Sequence, residues 1–445
     1  MAYPRLTEEP GALGLAALIR NGALSPLEAV EAAIARIEAL DGPINAVVVR
    51  DFDRARETAR AMDRQHAAPG QPLFGVPMTV KESFDIAGLP SCWGLPEFAG
   101  QVAQRDARIV TRLKRAGAVI LGKTNIPPHL ADLQSDNPVY GRTSNPHDLS
   151  RVSGGSSGGG AAAVAAGMVP CEYGSDIGSS IRNPAHFCGV FGHKTSYGLV
   201  TKHGHGHPMA RGRDGWGGVL SVVGPLARSA RDLAALLEVT ADLPLPRHDP
   251  KLAQCRFLAV LDHPSSEVDQ AVRGPIEAAL AALEAQGARV DRSSALLPDL
   301  AKQHHAYMKM LNINMARGAP GPDGQVASVQ DWFFLLDEQT RNELAWEAVF
   351  AEYDFVLAPP LPFLAFAHDP TPITERKIAI NGVEHDFADA LAWAGLATFP
   401  NLPSTVVPVG ASGHLPCGMQ VIGPRWSDYD CIAMAGQVAE LLHGR

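Results

Sequence analysis

Two serine-bearing stretches hold the residues whose types and spacing could do chemistry. The first, RVSGGSSGGGAAA at residues 151–163, packs five glycines and three serines into its first ten positions and then runs straight into alanine. The second, YGSDIGSSIRNPAHFCG at 173–189, sets Ser179 and Ser180 directly after Ile177-Gly178, with Arg182 and Pro184 just beyond. A serine hydroxyl on a tight turn suits acyl transfer: its oxygen attacks a carbonyl carbon while successive backbone N–H groups facing one concavity stabilise the oxyanion. MVPCEYGSD reads as a short strand and Ile177-Gly178-Ser179 as a turn of that kind, although an ordinary polar turn has the same composition. The glycine-rich stretch admits three readings. A flexible tether would sit between polar, low-complexity neighbours, whereas this one enters AAAVAAGMV, an apolar helix that has to be buried. A phosphate loop would carry a lysine after its last glycine, and alanine stands there. Gly155-Ser156-Ser157-Gly158-Gly159 fits the G-x-S-x-G of a nucleophile elbow, but that elbow follows a strand and the preceding NPHDLSRVS reads as turns.

The elements that must position these serines alternate between helix and strand. LSPLEAVEAAIARIEAL has Ser25 as N-cap, Pro26 at the first helical position and Glu28 three residues after the cap, and Asp41-Gly42-Pro43 is expected to stop the helix. A second helix runs through DFDRARETARAMDRQHA, followed by FGVPMTV, a buried strand ending at Lys81. DARIVTRLKRAG and AVILGKTN repeat the pattern, the helix closed by Gly117. Further helices are read in SARDLAALLEVTA, EVDQAVRGPIEAALAALEAQG and RNELAWEAVFAEY, with strands in FLAVL, FVLAPP and STVVPVG. Such alternation predicts an α/β layered sheet covered on both faces. No repeat period and no linker long enough to divide the chain is present.

Bulk composition narrows the partners. The chain has 445 residues, 46% of them hydrophobic, enough for a large core. Lys plus Arg is 38 against 47 for Asp plus Glu, a formal charge of −9, and no stretch concentrates basic residues, which argues against nucleic acid or an anionic membrane as partner. MAYPRLTEEPGALG lacks the pattern of a secretory signal, and no stretch has the apolar length of a membrane span, so a cytoplasmic enzyme is expected. The six cysteines (92, 171, 188, 255, 417, 431) form no CxxC pairs and are read as reduced, mostly buried thiols.

Taken together, GVPMTVKES, GKTN, NPVYGRTSNPHDLSRVSGGSSGGGAAAVAAG, GSDIGSSIRNPAHFCGVFGHKTSYG, GPLARSARDLA and LPCGMQVIGP resemble, in order, the motifs of the amidase signature family over about residues 75–425. The resemblance implies one α/β/α domain over 1–445, a large mixed twisted sheet with helices on both faces: N-terminal helices at about 10–66, a signature core at about 70–235 and a C-terminal α/β part at about 236–445. It also implies a Ser-Ser-Lys triad with no metal and no cofactor. Lys81 matches the base, Ser156 the bridging serine held by a cis peptide bond and Ser180 the nucleophile, at spacings of 24 and 99 residues that agree with the family pattern. The N–H groups of Ile177, Gly178, Ser179 and Ser180 would hold the oxyanion, with Ser157 a neighbour and Asp176 and Arg182 an ion pair bracing the loop.

That chemistry has physical requirements. A serine hydroxyl needs a base, and a lysine serves only when neutral, which burial favours by disfavouring its charged form. A relay serine can pass the proton because a hydroxyl both donates and accepts. In two places the chain departs from the family: Ser179 stands where glycine is usual, a strain if the position needs φ > 0, and Thr195 stands where proline is commoner. Leu130, Leu133 and Gln134, in the segment that the resemblance sets beside the acyl pocket, are candidates for its wall. His203, His205 and His207 alternate, but no carboxylate or cysteine is spaced with them as a metal set, so 201–218 is read as a Gly-rich mobile loop over the pocket. The implied substrates are small, largely apolar amides, with carbamates or esters as variants, as for nylon-oligomer hydrolases, aryl acylamidases and urethanases of the same family. The other reading is an amidotransferase component that releases ammonia for a tRNA-dependent partner. Oligomeric state is not legible in the sequence.

Overall fold

The computed structural model describes residues 10–210, 218–316, 318–320, 324 and 326–443. Eleven strands form one mixed sheet: β1 (Val47–Arg50), β2 (Pro77–Lys81), β3 (Val119–Thr124), β4 (Cys171–Asp176), β5 (Phe191–Lys194), β6 (Val222–Ala227), β7 (Arg256–Ala259), β8 (Arg289–Asp291), β9 (Phe355–Ala358), β10 (Ser404–Ser412) and β11 (Leu415–Ile422). Their spatial order is β1-β3-β2-β4-β6-β5-β10-β11-β9-β7-β8. The pairs β3/β2, β2/β4, β9/β7 and β7/β8 are parallel, and the remaining neighbours are antiparallel.

Side-chain alternation along a strand feeds both faces, which is why the sheet needs cover on each. On β3, Val119 and Leu121 join a core with Val30, Ile34 and Ile37 of the helix Pro26–Ile44 and with the helix Gly158–Ala165. Ile120 points the other way and packs with Met78, Val80, Leu113 of the helix Arg108–Arg115, and Leu233 and Leu237 of the helix Ala230–Thr240. A third apolar cluster joins Leu133 and Phe187 to Tyr307, Met310, Leu335, Phe363 and Phe387 from the second half of the chain.

Several local expectations are corrected. The first long helix continues through Asp41-Gly42-Pro43 to Ile44, because its last turn is closed by left-handed Asn45, whose N–H donates to the Asp41 carbonyl at 2.7 Å. NPHDLSRVS is not all turn: Ser144–Asn145 and Asp148–Val152 form a small antiparallel ribbon leading into the glycine-rich loop. The helix expected at RNELAWEAVFAEY begins earlier and spans Val329–Phe350, started by a capping box between Ser328 and Asp331. The helix Leu300–Ala316 adds an element that the apolar pattern does not announce. All six cysteines are free and buried, and among the described residues no helix is long and apolar enough to cross a membrane.

Candidate active site

Lys81 ends β2 and is fully buried. Its Nζ donates to Ser156 Oγ at 2.7 Å and Ser175 Oγ at 2.9 Å, with the Ser175 carbonyl at 3.4 Å. Burial brings its pKa down to about 7, against the opposing pull of the Asp176 and Glu172 carboxyls. An amine in that position is neutral over much of the range in which a base has to work.

Ser156 reaches Lys81 from the glycine-rich loop, whose Gly155–Ser156 peptide is cis. Small residues are required here by close approach. A Cβ on Gly155 would lie 2.5 Å from the Asp132 carbonyl oxygen, and one on Gly159 would lie 2.3 Å from the backbone nitrogen of Asn125. Behind the loop, every residue of the helix Gly158–Ala165 is buried, so the loop rests on a packed support.

The turn after β4 carries Ser180, which is 5% exposed. Two links tie this turn to the loop. Ser157 N–H donates to the Ser180 carbonyl at 3.1 Å. The Asn183 amide accepts from Gly155 N–H at 3.0 Å and donates to the carbonyls of Gly155 and Ser179. Ser157 Oγ stays with the Ser175 backbone, donating to its carbonyl at 3.3 Å.

Asp176 organises the turn. Its carboxylate accepts from the backbone N–H groups of Ser179, Ile181 and Arg182 and from Nε and Nη2 of Arg182 at 3.0 and 2.9 Å. Both members of the pair are fully buried. Burial alone would raise Asp176, but the guanidinium beside it and the N–H donors hold its carboxyl below the ordinary value. Arg182 spends its remaining donors on the Ala394 carbonyl, Gln420 Oε1 and Thr398 Oγ1. The pair braces the turn and anchors it to the C-terminal half.

Of the four N–H groups in the oxyanion expectation, that of Ser179 already has a partner. Its N–H is committed to Asp176 Oδ1 at 3.0 Å and is not available to a second acceptor. The N–H groups of Ile177, Gly178 and Ser180 have no partner among the described residues. Ser179 adopts φ +71, the left-handed conformation that glycine would favour, and its hydroxyl donates to the Pro360 carbonyl at 3.2 Å. Thr195 is buried, with its hydroxyl donating to the Val223 carbonyl at 3.1 Å.

The remaining candidates are scattered around this centre. Leu133 is buried in the third apolar cluster, which Ile177 also borders. Gln134 directs its amide nitrogen to the Asp369 carbonyl at 2.6 Å, and Leu130 sits half-buried at φ +61. His205 packs against Phe84 and Trp93 with Nε2 3.0 Å from Ser83 Oγ, and His207 stacks on His129 with ring nitrogens 3.0 Å apart. Residues 201–210 are therefore held down; 211–217 of the expected mobile loop lie outside the described residues. Among the described residues no group of three or more His, Cys, Asp or Glu could hold a metal.

Sequence reasoning missed Ser175, Glu172, Asn183, Tyr307 and Gln420. A signal existed for the first two, since CEYGSD is a buried strand and a carboxyl or hydroxyl there requires a partner. Tyr307, whose hydroxyl donates to the Ile177 carbonyl at 2.9 Å, and Gln420, which binds Arg182 and the Pro359 and Trp393 carbonyls, reach the site only through tertiary contacts.

Comparison with known proteins agrees with this architecture. The Amidase family profile matches residues 28–319 and 325–432. The chain is 33% identical to indoleacetamide hydrolase of Bradyrhizobium diazoefficiens, over 94% of this chain and 83% of that protein. It is 31% identical to a glutamyl-tRNA(Gln) amidotransferase component of Moorella thermoacetica, over 92% of each. The solved structure of 6-aminohexanoate cyclic dimer hydrolase complexed with substrate superposes with a TM-score of 0.79 at 26% identity, covering 97% of both chains. With a profile covering most of its length, and full-length relatives in sequence and in fold, the chain belongs to the amidase family, the amidase-signature hydrolases of amides.

Proposed function

We propose that the protein is a stand-alone, cytoplasmic serine amidase for small, largely apolar acyl or aryl substrates. Ser180 attacks the amide carbonyl carbon, and its proton passes through Ser156 to the neutral Lys81. The N–H groups of Ile177, Gly178 and Ser180 receive the developing oxyanion. As the C–N bond breaks, the proton returns through Ser156 to the leaving amine. A water then attacks the acyl ester, giving its proton along the same path, and the acid departs with Ser180 restored. The observation that carries this reading is the fully buried Lys81 Nζ, 2.7 Å from Ser156 Oγ on a loop hydrogen-bonded to the Ser180 turn.

The apolar preference rests on Ile177, which borders a buried cluster with Leu133 and Met310 that Ile313 and Trp332 also border. Indoleacetamide and the cyclic dimer of 6-aminohexanoate, named for two relatives, are accordingly the first amides to try. Carbamates and esters share the reacting carbonyl and extend the same reading.

The test is kcat/KM for the purified chain across anilides, indole-3-acetamide, aliphatic amides, carbamates and esters, with fluorophosphonate labelling of Ser180. Amine release by the chain alone is expected, lost in Ser180→Ala. If Ser180→Ala kept full hydrolysis while Ser157→Ala lost it, the nucleophile would be misassigned. The likeness to the amidotransferase component supports a second reading, in which the chain stays nearly inactive until partner proteins and charged tRNA are added.

A further inference from the structure

Glu172 is a fully buried carboxyl that the reaction above does not use. On β4 it stands in register with Thr79 of β2, so Glu172, Thr79 and Lys81 share one face of the sheet. Both oxygens are held: Thr79 Oγ1 donates to Oε2, and Thr124 Oγ1 donates to Oε1 at 2.7 Å. Thr124 is itself in register with Lys81. The helix covering this face, GGGAAAVA, brings no ionisable group and lies so close that a Cβ on Gly160 would be 2.5 Å from Glu172 Cγ. β6 brings none either.

Beside Glu172 on β4, the buried Cys171 thiol is pushed up by burial first, with the Glu172 carboxyl adding to that. Asp176, on Glu172's own strand, is tied to Arg182, with Lys194 of β5 also acting on it. Lys123 of β3 is turned toward the Pro90 carbonyl and Ser91 Oγ. Lys81 is the cation that acts on Glu172, and of the two carboxyls that act on Lys81, Asp176 already has its guanidinium. Burial raises the Glu172 carboxyl above its ordinary value and lowers the Lys81 ammonium below its own, and the charge of each acts on the other.

We infer that Glu172 is a positioning residue for the base, its charge governing how firmly Lys81 holds its proton. An ionised Glu172 stabilises the ammonium and delays the free amine; a neutral one releases it. The inference rests on Lys81 acting as base.

The experiment is the pH profile of kcat/KM, together with the rate of Ser180 labelling, for wild type, Glu172→Gln and Glu172→Asp. Glu172→Gln removes the charge while keeping the shape and one accepting oxygen, its amide nitrogen facing the other threonine hydroxyl, so its acid limb is expected at lower pH than wild type. Glu172→Asp, which keeps a carboxyl, is expected to return the limb toward the wild-type position. A Glu172→Gln limb that overlays wild type overturns the inference, as does an equal shift in Glu172→Asp. Should Glu172→Gln fail to fold by circular dichroism, Thr124→Val carries the test. Losing one donor favours the neutral carboxyl and moves the limb down, and an unmoved limb there also overturns the inference. Failure of the underlying base reading looks different: wild-type Ser180 would not label, or Lys81→Met would keep the limb.

Discussion

In the proposed reaction Lys81 sheds its proton before it takes one from serine, and burial brings that loss near neutrality. The sign follows directly. The competent amine is populated above a pKa of about 7, so kcat/KM is expected to fall as pH drops below 7 and to level off above it. A pH profile on any cleaved amide checks this, and a limb near the ordinary lysine value of 10.5 would refute it. Ser179 gives a second test. Its left-handed φ favours glycine, but its hydroxyl holds the Pro360 carbonyl. Ser179→Ala keeps the strain and loses the bond, so it should melt lowest, by about 1 kcal/mol, whereas Ser179→Gly trades one effect for the other and should stay near wild type. Asn183→Ala cuts the clamp between the Gly155 peptide and the Ser179 carbonyl, and kcat is expected to drop at least about tenfold with KM little changed. At this scale the serines and Lys81 stand out through motif and spacing. The residues that hold them do not, because the amides of Asn183 and Gln420 look like surface groups until folding brings their partners.

The helix Gly158–Ala165 shows what an element contributes. It carries no side chain larger than valine, and so it can sit directly behind the loop that presents Ser156. Gly159→Ala would drive a Cβ to 2.3 Å from the Asn125 backbone nitrogen, where nothing flexible can yield, and a loss of more than about 3 kcal/mol is expected in denaturant unfolding. Gly206→Ala, with no atom of the described residues within 4 Å of its Cβ, should change stability by less than about 0.5 kcal/mol. Strands and helices with clear apolar periodicity are legible in the sequence. The helix Leu300–Ala316 is not, because it buries Gln303 along with Leu300, Ala306, Tyr307, Met310 and Leu311, and the polar positions blur its pattern.

For the whole molecule, strand order is the least legible property. β2 pairs with β4 and β5 with β10 across long stretches of chain, and such pairing is decided by packing between distant segments rather than by local pattern. The assembled core also sets a limit on stability with pH. All six thiols are buried and raised above their ordinary value of 9.0. For a group whose folded pKa is raised, stability is complete below the unfolded value and is lost as pH rises through the interval above it. Lys81 and Lys194, both lowered to about 7 from 10.5, act in the opposite direction between those values, but six thiols outnumber two amines. Thermal melts are therefore expected to fall from pH 8.5 to pH 10 by about 2–4 °C. A flat or rising midpoint would contradict this.

The chain also divides its labour along its length. Every group assigned to bond-making lies before residue 183, whereas most of the apolar cluster that Ile177 borders comes from residues 306–394, a segment joined to the turn after β4 through Arg182, Tyr307 and Ser179. An engineer wishing to retune this protein toward a different amide could therefore recombine or diversify the later portion while copying the earlier one unchanged.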